Sequence, residues 1–149
     1  PYLLKEYRNR WYLLAWDPVM GFIRTFGCDR IKAINTDENT KFTTSSEFDS
    51  DEYFSHTVGI TVIDNSPPVN VILECDPILA RYLTSQPLHP SQKITNHEEL
   101  YTISINVIIT YELIQWIMGY SAEVKVKSPQ SLKEILTHRL NKALKMSTT

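Results

Sequence analysis

The chain has 149 residues, enough for one ordinary domain or two small ones. Apolar residues make up 42% and charged residues 21%, which lets a core form and excludes a wholly disordered chain. Apolar runs such as Ile103 to Ile109 are far shorter than the roughly 20 residues of a membrane span, and no basic-then-apolar leader is visible.

The chain starts at Pro1 rather than Met, as expected of a processed product or an excised piece of a longer protein. Its net charge of −2 is uneven: residues 1–33 hold six basic and three acidic groups, and the remainder holds nine and fourteen. A basic segment on an acidic chain suits an anionic partner at one end. Cys28 and Cys75 lie far apart with no ligand-like spacing, and read as thiols of a reducing compartment, the cytoplasm.

Arg10 to Trp16 reads RWYLLAW, a strand apolar on both faces. Asp17 to Gly21 has proline and glycine where a hairpin loop needs them. Phe22 to Phe26 alternates again, and Arg30 to Ile34 reads as a further short strand. Thr36 to Asp51 is polar and without period, a connector. Val69 to Cys75 is a strand, and Asp76-Pro77 caps and opens a helix to about Leu83. Strands follow at Gln86 to Thr95 and Tyr101 to Ile109. Thr110 caps a helix ending at Gly119, taken as its left-handed closing residue. Glu123 to Lys127 is the next strand. Ser128-Pro129 then opens a last helix with apolar Leu132, Ile135, Leu136, Leu140, Ala143 and Leu144.

The predicted class is α+β. Residues 1–50 form a β-rich unit with its linker. Residues 51–149 form a βαββαβ, ferredoxin-like domain with an extra C-terminal helix.

These residues resemble the WYL family, named for the triplet found here as Trp11, Tyr12 and Leu13. Pro1 to Tyr7 is similar to the family's lead-in, RWYLLAW to its signature strand, and Arg24-Thr25-Phe26 with Asp29-Arg30-Ile31 to the next strand and turn. The stretch from about Val69 to Leu144 is similar to the family's C-terminal extension domain. The resemblance implies a bacterial transcription regulator with a small Sm-like, SH3-like barrel. Its first strands and its helix-turn-helix would precede Pro1, leaving the barrel incomplete here. It further implies a homodimer and an effector that is a nucleotide or single-stranded nucleic acid, with operator DNA read by the helix-turn-helix. Gly27-Cys28 stands where family members often carry a basic and then an apolar residue.

If Trp16 faces Phe22 across the loop, then Tyr12 faces Phe26 and Leu14 faces Arg24. Arg10, Tyr12, Arg24 and Phe26 then share one face, with Trp11 and Leu13 as core on the other. Arginine forks suit phosphate, and aromatic faces stack on bases at roughly 1–3 kcal/mol each. A cation–π pair closing a barrel is the rival reading of the same residues. Arg30, beside Asp29, reads as a ligand contact or a local ion pair, and Tyr2 as a further candidate.

His56, His89, His97 and His138 show no i, i+4 pair, so no metal site is expected. No glycine-rich phosphate loop exists, Glu98-Glu99 and Asp51-Glu52 read as solvated pairs, and Trp116 reads as core. Neither an enzyme nor a cofactor is expected. A module that dimerises and binds nothing is the alternative function.

Overall fold

The structure is a computed structural model that describes residues 1–39, 41, 48–63, 65–97 and 99–148. Part of the expected connector (residues 40 and 42–47), and Glu98 of the Glu98-Glu99 pair, lie outside the described residues. The chain divides into two units, Pro1–Ser55 and His56–Thr149.

The first unit is an antiparallel meander of β1 (Leu3–Tyr7), β2 (Arg10–Asp17) and β3 (Phe22–Gly27), in that order across the sheet. Arg8 and Asn9 join β1 to β2 at φ 51° and 61°. Two consecutive positive φ values make the two-residue turn whose twist matches that of the strands it joins. The amide of Asn9 donates to the Glu6 carboxylate at 2.6 Å.

The turn between β2 and β3 is organised by Asp17. Its carboxylate accepts from the amides of Val19 at 3.0 Å and Met20 at 3.1 Å, and its carbonyl accepts from Gly21 at 2.8 Å. Gly21 sits at φ 75°, which glycine adopts at no steric cost. Asp17 thereby belongs to the ladder, paired with Phe22, and the loop is residues 18–21.

The register is consequently one residue off the expected one. Trp16 faces Ile23, Ala15 faces Arg24, Leu14 faces Thr25 and Leu13 faces Phe26. The strand expected over Arg30 to Ile34 is replaced by one 3-10 turn, Cys28–Arg30, followed by residues without regular structure. Ile31 and Ile34 are exposed there, so no burial favours a fourth strand. A short helix, α1 (Ser50–Phe54), closes the unit, with Asp49 as its cap.

The second unit holds β4 (Val69–Cys75), α2 (Pro77–Ser85), β5 (Lys93–His97), β6 (Leu100–Val107), α3 (Tyr111–Gly119), β7 (Val124–Ser128) and α4 (Gln130–Ser147). The sheet order is β5-β6-β4-β7 with every neighbour antiparallel, the ferredoxin-like arrangement. Val71, Leu73 and Cys75 alternate into the core from β4, as do Ile103, Ile105 and Val107 from β6. Leu79, Ala80 and Leu83 of α2 and Leu113, Ile114 and Ile117 of α3 join the same core. Asp76 caps α2 through the Leu79 amide at 2.7 Å. Burial pushes the Cys75 thiol up, and neighbouring Asp76 adds to the rise.

Three local expectations change. β5 starts at Lys93 because residues 86–92 form a knot: the Gln92 side chain accepts from the Leu88 amide and donates to the Leu83 carbonyl. Pro87 and Pro90 also lack the amide a ladder needs. Gly119 ends α3 outside the left-handed region, and the turn is closed by the Tyr120 amide donating to the Ile117 carbonyl. Of the apolar residues in α4, only Leu132 and Leu136 are buried.

The segment entering this unit is knitted to β6 and α3. Ile108 donates its amide to the His56 carbonyl at 2.8 Å, and Thr110 Oγ1 donates to the Val58 carbonyl at 3.2 Å. Thr61 Oγ1 donates to buried Glu112 at 2.7 Å. Thr110 Oγ1 also accepts from the Leu113 amide, so one buried hydroxyl caps α3 and holds the strap.

Replacing Thr110 by valine removes both bonds while keeping the shape. The expected cost is about 1–3 kcal/mol, since the Val58 carbonyl is left buried without that donor. Urea unfolding of the variant beside Ile78→Ala, whose exposed side chain predicts a change within about 0.5 kcal/mol, checks it.

Candidate ligand-binding face

Side chains of paired residues share a face, so the observed register sorts the first unit's sheet into two surfaces. Lys5, Tyr7, Arg10, Tyr12, Leu14, Trp16, Ile23 and Thr25 lie on one, and Gly27 presents its Cβ position there. Leu4, Glu6, Trp11, Leu13, Ala15, Asp17, Phe22, Arg24 and Phe26 lie on the other. The expected group is therefore split: Arg10 and Tyr12 stay together, whereas Arg24 and Phe26 point the opposite way. A one-residue change in register has this effect on every side chain.

The first face is covered along β1, and on β3 its residues are half-buried at Ile23 and Thr25 and buried at Gly27. Tyr2 stacks on Phe48 with ring centroids 5.1 Å apart, and its amide donates to the Leu14 carbonyl at 2.7 Å. Lys5 Nζ lies 4.3 Å from the centre of the Phe54 ring, and Leu14 is fully buried. At the Gly27 end the charged groups gather. The Arg10 guanidinium lies 3.6 Å from the Asp29 carboxylate, with both side chains more than half exposed. Asp29 Oδ1 and the Arg30 guanidinium come within 2.6 Å and 3.1 Å of the point where a Cβ on Gly27 would sit. Any side chain at position 27 would displace them. Arg10, Asp29 and Arg30 thus form one cluster on the face that carries Tyr12.

On the second face, Arg24 is committed twice. It donates to Asp17 at 2.8 Å and lies 5.3 Å from the centre of the Phe26 ring. The Arg24 guanidinium is the first cause holding the Asp17 carboxyl below its ordinary value of 3.8, followed by the turn amides. Trp11, expected in the core, is instead 57% exposed on this face. The turn-capping role of Asp17 is the signal in the sequence that would have found it.

Trp116 packs against the second unit's core as expected, and its ring meets that of Tyr120 at a tilt, with centroids 5.0 Å apart. Among the described residues, no three His, Cys, Asp or Glu side chains are grouped to hold a metal ion. No helix among them is long and apolar enough to cross a membrane.

The pairing of Asp17 with Arg24 is testable by titration. Because the folded pKa is depressed, the stability it contributes is present above about pH 3.8 and is lost as pH falls through the lower folded value. In an NMR titration, the Asp17 carboxyl is expected to titrate below 3.8 and to move back up toward it in Arg24→Ala. An unchanged Asp17 titration in that variant would contradict the pairing.

Comparison with known proteins follows the division seen in the structure. Residues 1–36 match the WYL domain and residues 67–144 match the WCX domain. A search of curated proteins finds no match. Among solved structures, the chain is similar to proteasome accessory factor B/C (PafBC) of Arthrobacter aurescens, at 19% identity and a TM-score of 0.43. That likeness covers 100% of this chain and 22% of the other, so the chain spans about a fifth of that protein's length. Over half of the residues here fall in the WCX match alone, and with its signature strand ahead of that match the chain belongs to the WYL-domain family.

Proposed function

We propose that this chain is the effector-sensing and dimerisation region of a WYL-type transcriptional regulator. Its ligand is a nucleotide or a short single-stranded nucleic acid, held on the first unit. The observation that carries this reading is the Arg10–Asp29–Arg30 cluster beside Tyr12.

Exposure decides which arginines are available. Arg10 and Asp29 sit 3.6 Å apart with side chains 67% and 55% exposed, a contact that contributes little and exchanges readily. A phosphate arriving there can replace the Asp29 carboxylate with bidentate partners in Arg10 and Arg30. Arg24 is held at 2.8 Å by an Asp17 side chain only 13% exposed, and is the harder group to recruit. Tyr12 supplies a ring on the same face as Arg10, where a base can stack. Arg24 and Phe26, with exposed Trp11, offer the opposite face to a longer strand, and Tyr2 supports the first face by its stack on Phe48.

The action is a coupling of equilibria and not a chemical step. Ligand binding favours one arrangement of two protomers, and operator DNA is read by a helix-turn-helix outside these residues. The setting is the cytoplasm.

Anisotropy of a labelled single-stranded oligonucleotide across a salt series tests the reading. Arg10→Ala combined with Arg30→Ala is expected to weaken binding at least about tenfold and to flatten the salt slope by about 0.7 per lost phosphate contact. Arg24→Ala is expected to change affinity less. A dimeric protein that binds neither oligonucleotides nor mononucleotides would favour the alternative, a module that only dimerises. Loss of binding in Arg24→Ala with the double variant intact would move the site to the other face.

A further inference from the structure

One row of paired residues crosses the first unit's sheet on the face that carries Tyr12. Lys5 of β1 is opposite Tyr12 of β2, and Tyr12 is opposite Gly27 of β3. Paired residues share a face, so all three lie on the same side. Gly27 has no side chain, and the Arg30 guanidinium comes within 3.1 Å of where its Cβ would be. The row therefore runs from a lysine, through a tyrosine ring, to an arginine. Neighbouring strands are about 4.8 Å apart, so β1 and β3 are separated by about 10 Å with Tyr12 between them.

The two ends of the row differ in their partners. Asp29 stands beside Arg10 and Arg30, whereas no ion pair among the described residues includes Lys5. Glu6, the carboxylate next to it in sequence, lies on the opposite face and accepts from the Asn9 amide. Lys5 is half-buried, and its Nζ is held 4.3 Å from the centre of the Phe54 ring. A ring face is a weak and neutral partner, which leaves the ammonium without a compensating charge. A partly buried cation with no counter-ion favours an anion that can reach it.

We propose that Lys5 is a second phosphate contact of the ligand site, across Tyr12 from the Arg10–Arg30 cluster. A base stacked on Tyr12 then has one phosphate at the arginines and another at Lys5. When that second phosphate arrives, Lys5 exchanges the Phe54 ring for it. The arrangement fits a nucleoside with phosphates on both sides of its sugar, as every internal nucleotide of a single strand has. It fits a nucleoside 5′-diphosphate poorly, because both phosphates then follow one another on one side. The inference rests on the ligand reading proposed above, and narrows that ligand to nucleotides phosphorylated at both the 3′ and the 5′ position.

Calorimetric titration of the whole chain with adenosine 3′,5′-bisphosphate and with adenosine 5′-diphosphate is the test. The two compounds carry the same base and the same number of phosphates, differently placed. The bisphosphate is expected to bind at least about tenfold tighter. Lys5→Gln and Lys5→Met are each expected to remove most of that preference and to leave diphosphate affinity within about twofold. Lys5→Arg, which keeps the cation, is expected to keep the preference. Circular dichroism confirms that each variant is folded. Equal affinity for the two compounds, or a preference unchanged in the folded Gln and Met variants, would overturn the role of Lys5 and leave the ligand reading standing. Binding of oligonucleotides but of neither adenosine compound would do the same. A chain that binds neither these compounds nor single-stranded oligonucleotides would overturn both.

Discussion

A single carboxylate determines how the first unit of this protein presents its surfaces. Asp17 accepts two turn amides, receives the Arg24 guanidinium, and keeps its own backbone in the β2–β3 ladder. Sheets have a side-chain period of two, so the choice between residue 17 as loop and residue 17 as strand exchanges the two faces of one strand relative to the other. Because Asp17 is counted into the strand, Arg10 and Tyr12 are parted from Arg24 and Phe26. The same carboxylate that sets the register also neutralises the arginine on the far face. Turn geometry and the engagement of Arg24 are consequences of one set of contacts.

The two halves of the chain are stabilised in different ways. The second unit has an ordinary core: alternating residues of β4 and β6 meet the apolar sides of α2, α3 and the first turns of α4. In the first unit, Leu14 is the side chain most deeply buried, and much of the remaining order comes from aromatic and cation–π contacts among Tyr2, Lys5, Phe48, Tyr53 and Phe54. Such contacts individually contribute on the order of 1 kcal/mol and tolerate rearrangement. The ligand site proposed for the first unit would thus lie where packing is lighter, as binding sites commonly do.

Legibility in the sequence followed the range of the interactions. Asp76-Pro77 and Thr110 marked the starts of α2 and α3 because an N-cap acts within three residues. The βαββαβ order was readable because strand and helix periods differ over short windows. The hairpin register was not, because it depends on the length of a four-residue loop and on which way one carboxylate points. The same error put Ile23 and Thr25, instead of Arg24 and Phe26, on the face of Trp11. Arg30 to Ile34 has the composition of a strand but finds no neighbour to bury it, and composition carries no information about neighbours. The Arg10–Arg30 cluster was half visible: both residues were candidates, but that Gly27 leaves room for them to converge on Asp29 required coordinates.

The strap at the start of the second unit has a mechanical meaning. One covalent crossing, between Ser55 and His56, joins the units, and just beyond it the strap is pinned by the carbonyls of His56 and Val58 and the hydroxyl of Thr61. Those three anchors all attach to the loop and first turn of one helix, α3. A tug on the chain from the first unit is therefore delivered to the positive end of that helix before it reaches the sheet. Thr110 and Glu112, two buried polar residues in an otherwise apolar layer, are where such a pull would be met, through their hydrogen bonds to Val58 and Thr61.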